Sequence, residues 1–414
     1  MNYVICSDYL VKGISEIKRR MCLVISNGVI EDIKPYEPKE LPRGYEKLNY
    51  VGKHTVITHG FASSHTHLGL YPIRSTLLNK LELDAWVKRY VWPWELELRR
   101  RPELSYHTAL IALKELVSSG VTLVIDMHPN GSEVAKALIK YGVRGNICTP
   151  VMEGGAYKSI DESLKENLRL LNEWHGKHEL ITVGLCPCTV RLASKEAYEK
   201  CIELALKYST NIHTHLSEVV DDIKYTLSKY GKRPAHYLLE LGIGKVKTII
   251  AHGVWLTLNE IRALSSPNIT LITNPRSNYL LRSGKPQLRH IVKYLNTGLG
   301  VDVAPTYNII DEILFLKFNE RWLAPHDMYR LLTEGYRALS IGKGFIDVDE
   351  VADVTVWRLN ACIGDPLMGV LQGVAKPSLI MVNGAPIYRD DKFKVAYDEF
   401  NKSYSTLLDV LTSF

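Results

Sequence analysis

A chain of 414 residues, 46% hydrophobic and 23% charged, is long enough for one large core and a smaller second one. Its net charge of +6 is modest and its Lys and Arg are interspersed with Asp and Glu, which argues against nucleic acid as a partner; the densest basic cluster, "EIKRRM" at 16–21, reads as solvated surface. No apolar run approaches a membrane span, and seven scattered cysteines without a C-x-x-C pair suit a reduced, cytoplasmic protein better than a disulfide framework.

Residues 1–53 read as short strands and turns, "YVICSDYLV" and "MCLVISNGVIEDIKPY", with Asn27-Gly28 as a hairpin turn. The rhythm then changes. Apolar runs rich in Val, Ile and Thr alternate with amphipathic segments, the pattern of β-α units around a parallel sheet. The strands expected are "TVITHGFASSHTH", "VTLVIDMH", "VRGNICTPV", "LITVGLCPCTV", "TNIHTHLSE", "VKTIIAHGVWL", "NITLITNPRS" and "GLGVDVAP". Helical patterns such as "SYHTALIALKELVSSG" and "SKEAYEKCIELALKYS" lie between them. Eight repeats over 54–354 predict an α/β fold, a (β/α)8 TIM barrel. A doubly wound open sheet is the alternative, and it lacks a G-x-G-x-x-G after the first strand. "GIGKVK" at 242–247 is a turn without P-loop spacing. Strand texture returns in "ADVTVWRLN" and "PSLIMVNGAPIYRDDKFK", with a second Asn-Gly at 383–384. Residues 1–53 and 355–395 are therefore expected to form one small composite β-sandwich domain, and 396–414 a C-terminal surface helix.

In a β/α barrel the active site lies at the C-terminal ends of the strands. Those ends carry His65 and His67, then His215 with Glu218, then His252 and Asp302. Strand period puts His65 and His67 on one face, able to grip one ion. Each residue has a bland reading: His-x-His is a weak motif, Glu218 suits a helix start, Asp302 suits a loop cap, and a lone His215 is more often simply hydrogen-bonded. His213 lies deeper in its strand and reads as packing or as support behind the ligands. Together the set is hard to attribute to chance, and imidazole with carboxylate suits Zn²⁺, with Fe²⁺ or Mn²⁺ as alternatives.

The segments "HGFASSHTHLGL", "LDAWVKRYVWPWE", "THLSE", "AHGVWLT", "NPRSNYLLRSG" and "GVDVAP", in this order over essentially the whole chain, resemble the aminohydrolase branch of the amidohydrolase superfamily. That branch includes adenosine-derivative deaminases, guanine deaminase and triazine hydrolases. The resemblance implies one metal per chain held by His65, His67, His215 and Asp302, with Glu218 and His252 around the attacking water. It implies hydrolytic deamination of an amino-substituted heteroaromatic ring, with Asp302 taking the water's proton, Glu218 protonating the ring and His252 polarising the developing charge. Dechlorination or cyclic amide hydrolysis at the same site is the alternative; a non-catalytic metal-binding scaffold would need neither Glu218 nor Asp302. The chain departs from the branch at His59, where proline is usual, and at "VDVAPTYN", where only Asn308 remains of paired asparagines. In alignment with relatives that deaminate S-adenosylhomocysteine, two arginines fall on Thr149 and Ser163, and a strand-four histidine on Cys188. Asp84 and Trp86 are expected either to wall the substrate pocket or to sit in a helix that buries Trp86. A small heterocyclic substrate and a homo-oligomer, dimer or tetramer, complete the expectation.

Overall fold

Runs buried on both faces need cover on each side, and amphipathic helices between them supply it. In the computed structural model, which describes residues 2–360 and 364–412, eight parallel strand positions follow in order. They are Phe61–Thr66, Val121–Met127, Arg144–Cys148 continued by Pro150–Val151, Ile181–Val183 continued by Cys186–Pro187, Ile212–Leu216, Thr248–His252, Ile269–Thr273 and Asn296–Leu299. The fourth meets the fifth through Leu185 N to Asn211 O and His213 N to Leu185 O, both 2.9 Å. The eighth returns to the first through Asp302 N to His65 O at 2.9 Å and His67 N to Asp302 O at 3.3 Å. The barrel is closed.

Helices Glu103–Ser118 and Lys195–Tyr208 form where their periodicity predicts them. Ser194 caps the second by accepting from Ala197 N, the reason the helix begins there.

Strands from both chain ends pair into one nine-stranded mixed sheet. It takes in Thr55–His59, which pairs with Tyr3–Lys12 on one side and Val354–Leu359 on the other. The predicted first barrel strand is thus two strands in two sheets, divided at Gly60. The two Asn-Gly turns have positive φ at both residues, as a type I′ hairpin requires. They also meet: a Cβ on Gly28 would lie 2.6 Å from Asn383 Oδ1, so the approach needs glycine.

The C-terminal helix, Tyr397–Leu411, docks on Glu103–Ser118, burying Phe400, Ser403, Leu407 and Val410; Ser403 Oγ meets His107 Nδ1 at 2.9 Å. Residues 413–414 of the expected helix and 361–363 of the expected composite domain lie outside the described residues. Among those described, no helix is long and apolar enough to cross a membrane. The cysteine reading needs correction. Cys6–Cys22 and Cys148–Cys186 are disulfide-bonded. Each pair bridges neighbouring strands, but the partners stand 16 and 38 residues apart in sequence, so spacing gave no sign of them.

Candidate active site

The ends of the first, fifth and sixth barrel strands aim four imidazoles at the centre, and a main-chain or side-chain partner holds the opposite nitrogen of each ring. His67 Nδ1 donates to Met127 O and His215 Nδ1 to Cys188 O, both at 2.9 Å. His252 Nδ1 donates to Asn278 Oδ1 at 2.8 Å. His65 Nδ1 meets His213 Nε2 at 2.9 Å, so His213 supports a neighbour from behind. These contacts fix the tautomers that leave Nε2 free at the centre.

Asp302 Oδ1 lies 3.4 Å from Nε2 of both His65 and His67, and Oδ2 lies 3.9 Å from His252 Nε2. Donor atoms of His65, His67 and Asp302 all fall within 4.8 Å of one another, as do those of His65, His215 and His252. His65 Nε2 is buried without a hydrogen-bond partner. A buried orphan acceptor among nitrogen and carboxylate donors is what a divalent metal satisfies, so the residues fit one. Burial pushes His65 down to about 4 and holds His67 and His215 low as well. Neutral imidazole is the ligating form.

Burial alone would raise Asp302; the imidazoles of His65, His252 and His67 that face it outweigh burial and hold the carboxylate below its ordinary range. Burial pushes Glu218 up to about 7, and its Oε1 accepts from Ser283 Oγ at 3.1 Å. His252, lowered by burial, ends above its ordinary value because Glu218 and Asp302 face it; Glu218 Oε2 is 3.6 Å from its Nε2. Ser217, His252 and Asp302 hold positive φ of 50°, 73° and 55°. Such conformations cost on the order of 1–3 kcal/mol each and cluster at functional sites.

Above the centre opens a cavity of about 470 Å³. Its first wall is the chain from Leu83 to Arg100, a helix interrupted by a π turn at Val87–Val91. Pro93, which has no N–H to give, stands two residues past that turn. Asp84, Lys88, Val91, Trp92 and Glu95 line the cavity at helical spacing. The helix and the pocket wall are therefore the same element. Both Asp84 oxygens are taken by Arg191, and Trp86 is buried with Nε1 donating to Thr76 Oγ1 at 2.8 Å.

Cys188 lines the cavity, and burial pushes its thiol up to about 12. Asn308 is not brought to the cavity; it caps the helix Ile309–Asn319 by accepting from Ile310 N. Thr149 and Ser163 are buried and also outside the lining. Among the lining residues that escape the sequence reading, Glu95 and Arg191 carry the most chemistry. Glu95, half-buried with no partner among the described residues, is pushed up to about 8 by burial. Its helical spacing from Asp84 was the available signal. Arg191, whose partners are remote in sequence, left none.

The family model described as "Amidohydrolase family" matches residues 56–392. The chain is 34% identical over 324 residues to a 5-methylthioadenosine/S-adenosylhomocysteine deaminase of Caldanaerobacter subterraneus subsp. tengcongensis, covering 75% of this chain and 74% of that protein. It is 30% identical to a 5'-deoxyadenosine deaminase of Methanothermobacter thermautotrophicus, over 82% and 81% of the two chains. The crystal structure of an adenosine deaminase from Xanthomonas campestris with bound zinc superimposes with a TM-score of 0.90 at 20% identity, over 100% of this chain and 99% of that one, and supports the fold.

Proposed function

Because the chain belongs to the amidohydrolase family, we propose that it deaminates a purine nucleoside hydrolytically, with His65, His67, His215 and Asp302 holding one divalent metal. The observation that carries this reading is the convergence of Glu218, His252 and Asp302 on the imidazole cluster at the floor of one cavity. Zinc suits the donor set best, with iron and manganese distinguished by elemental analysis. The metal, when bound, supplies Lewis acidity that makes a water lose its proton near neutral pH.

The residues do the rest. Asp302, ionised and facing the centre, accepts that proton. Glu218, pushed up to about 7, is partly protonated at neutral pH and gives that proton to the ring nitrogen beside the attacked carbon. His252 donates through Nδ1 to Asn278, so when doubly protonated it offers Nε2–H to the oxygen forming on that carbon. The C–O bond forms, the C–N bond breaks with its electron pair leaving on nitrogen, the proton held by Asp302 completes ammonia, and the new hydroxyl returns its proton to Glu218 as the carbonyl forms.

Relatives named for methylthioadenosine, S-adenosylhomocysteine and deoxyadenosine support a nucleoside. Glu95 is the group this reading assigns to the ribose hydroxyls, in place of Asp84, whose oxygens are engaged. Trp86 backs that wall, with Trp92 offering a ring face. Leu70, Val91, Met152 and Leu281 make the remaining lining apolar around the tail. Asp84, Asp222 and Asp302 face the cavity with Arg191 and Lys88 as its Lys and Arg cations, and Arg191 is already paired twice. A carboxylate-tailed nucleoside is therefore disfavoured. A homo-oligomer is the setting this reading assumes, checked by light scattering.

Ammonia release from metal-loaded protein tests the reading. Adenosine, 5'-deoxyadenosine and 5-methylthioadenosine are expected to turn over with kcat/KM at least about tenfold above S-adenosylhomocysteine, the cost of one uncompensated charge. Glu218→Gln should keep its metal and lose about a hundredfold or more in kcat. Full turnover in that variant, or no release from any aminopurine nucleoside, overturns the assignment.

A further inference from the structure

The loop carrying Glu218 has no side-chain cap of its own: Val219 stands where the helix Val220–Tyr230 begins. Asp222 supplies the missing acceptor. Its Oδ2 accepts from Glu218 N at 2.9 Å and from Val219 N at 3.3 Å. On the other side, Ser217 O accepts from Trp255 N at 2.9 Å, across a residue already at positive φ. The backbone of Glu218 is thus tied from both directions.

Asp222 is buried, its side chain 3% exposed, and a buried carboxylate needs a charge partner to stay in place. That partner is Arg191, whose Nε lies 2.7 Å from Asp222 Oδ1. Arg191 stands on the loop after the fourth barrel strand, and its two remaining nitrogens fork onto Asp84 at 2.7 and 2.9 Å. A planar guanidinium spans two carboxylates on opposite walls in a way an ammonium does not. One side chain therefore joins the pocket-wall helix to the loop that bears Glu218.

We propose that Arg191 is the positioning residue of this active site, holding Glu218 in register through Asp222 and being itself aimed by Asp84. The catalytic part of this statement rests on the role given to Glu218 above; the mechanical part does not. Arg191 touches neither the centre nor the reacting atoms in this arrangement, and acts through the backbone N–H of Glu218.

Arg191→Met in the metal-loaded protein tests both parts. Hydrogen exchange at the amides of Glu218 and Val219 is expected to accelerate about tenfold or more, while barrel strands keep their protection. With a nucleoside that the native protein deaminates, kcat should fall about tenfold to a hundredfold and KM change less than about threefold, since a small misplacement of a reacting group is felt in the chemical step. Arg191→Lys should recover part of the amide protection, because it restores the charge beside Asp222 but not the fork onto Asp84. If the methionine variant does not fold, the lysine variant carries the same comparison against native protein. Unchanged exchange at 218–219, loss of protection spread over the whole barrel, or faster exchange with unaltered kcat would each overturn the proposal. Native protein that deaminates no nucleoside would instead remove the reading of Glu218 and leave the exchange result to decide the linkage.

Discussion

Glu95 faces the cavity from a half-buried position with no cation or donor among the described residues to hold its charge. Burial alone pushes it from an ordinary 4.5 to about 8. The folded protein then binds this proton more tightly than the unfolded chain does. The resulting stabilisation is complete below about 4.5 and is lost as pH rises to about 8. Glu95→Gln keeps the shape and removes the titration, so its melting temperature should track the native protein's near pH 4.5 and move progressively above it by pH 9. A gap that stays constant over that range would mean Glu95 titrates as an exposed carboxyl. The residues at the centre were legible because each ends a strand and needs only the barrel's geometry to be brought to its neighbours. Glu95 and Arg191 were not. Their roles depend on what else lines a cavity, and Asp84 looks like a free acceptor until Arg191 is found 107 positions away with both its oxygens.

The eight-fold alternation of strand and helix was readable, because burial on both faces gives the continuous apolar runs of a parallel sheet. The same property hid a boundary. Thr55–His59 and Phe61–Thr66 are both buried along their whole length, so no change in alternation marks the passage from the end sheet into the barrel. Gly60 makes that passage. A Cβ there would stand 2.0 Å from Thr122 Oγ1, and Thr122 is held by Tyr336 at 2.7 Å and by Phe61 O at 3.2 Å. Gly60→Ala is expected to cost about 1–3 kcal/mol, the usual range for overpacking in a filled interior. Denaturant titration of the metal-loaded protein measures it, and a loss under about 0.5 kcal/mol would mean that Thr122 yields freely.

At the scale of the molecule, the barrel and the sheet built from both chain ends are fastened by one buried ion pair. Arg144 opens the third barrel strand; Asp353 precedes the strand Val354–Leu359. Arg144 forks onto Asp353 at 2.7 and 3.1 Å, with side chains 7% and 0% exposed. Asp353 also accepts from Tyr336 Oη at 2.6 Å and from Asn383 N at 2.7 Å, in the second Asn-Gly turn, while its carbonyl accepts from Gly60 N at 2.8 Å. Every partner is satisfied, so removing one leaves an uncompensated charge in a dry interior. Asp353→Asn and Arg144→Met should each cost about 3–5 kcal/mol, whereas the double variant should cost clearly less than their sum. Metal content should be unaffected, since the pair lies away from the ligating strand ends. Additive losses would show that the two groups act independently, and that packing rather than this pair joins the two parts.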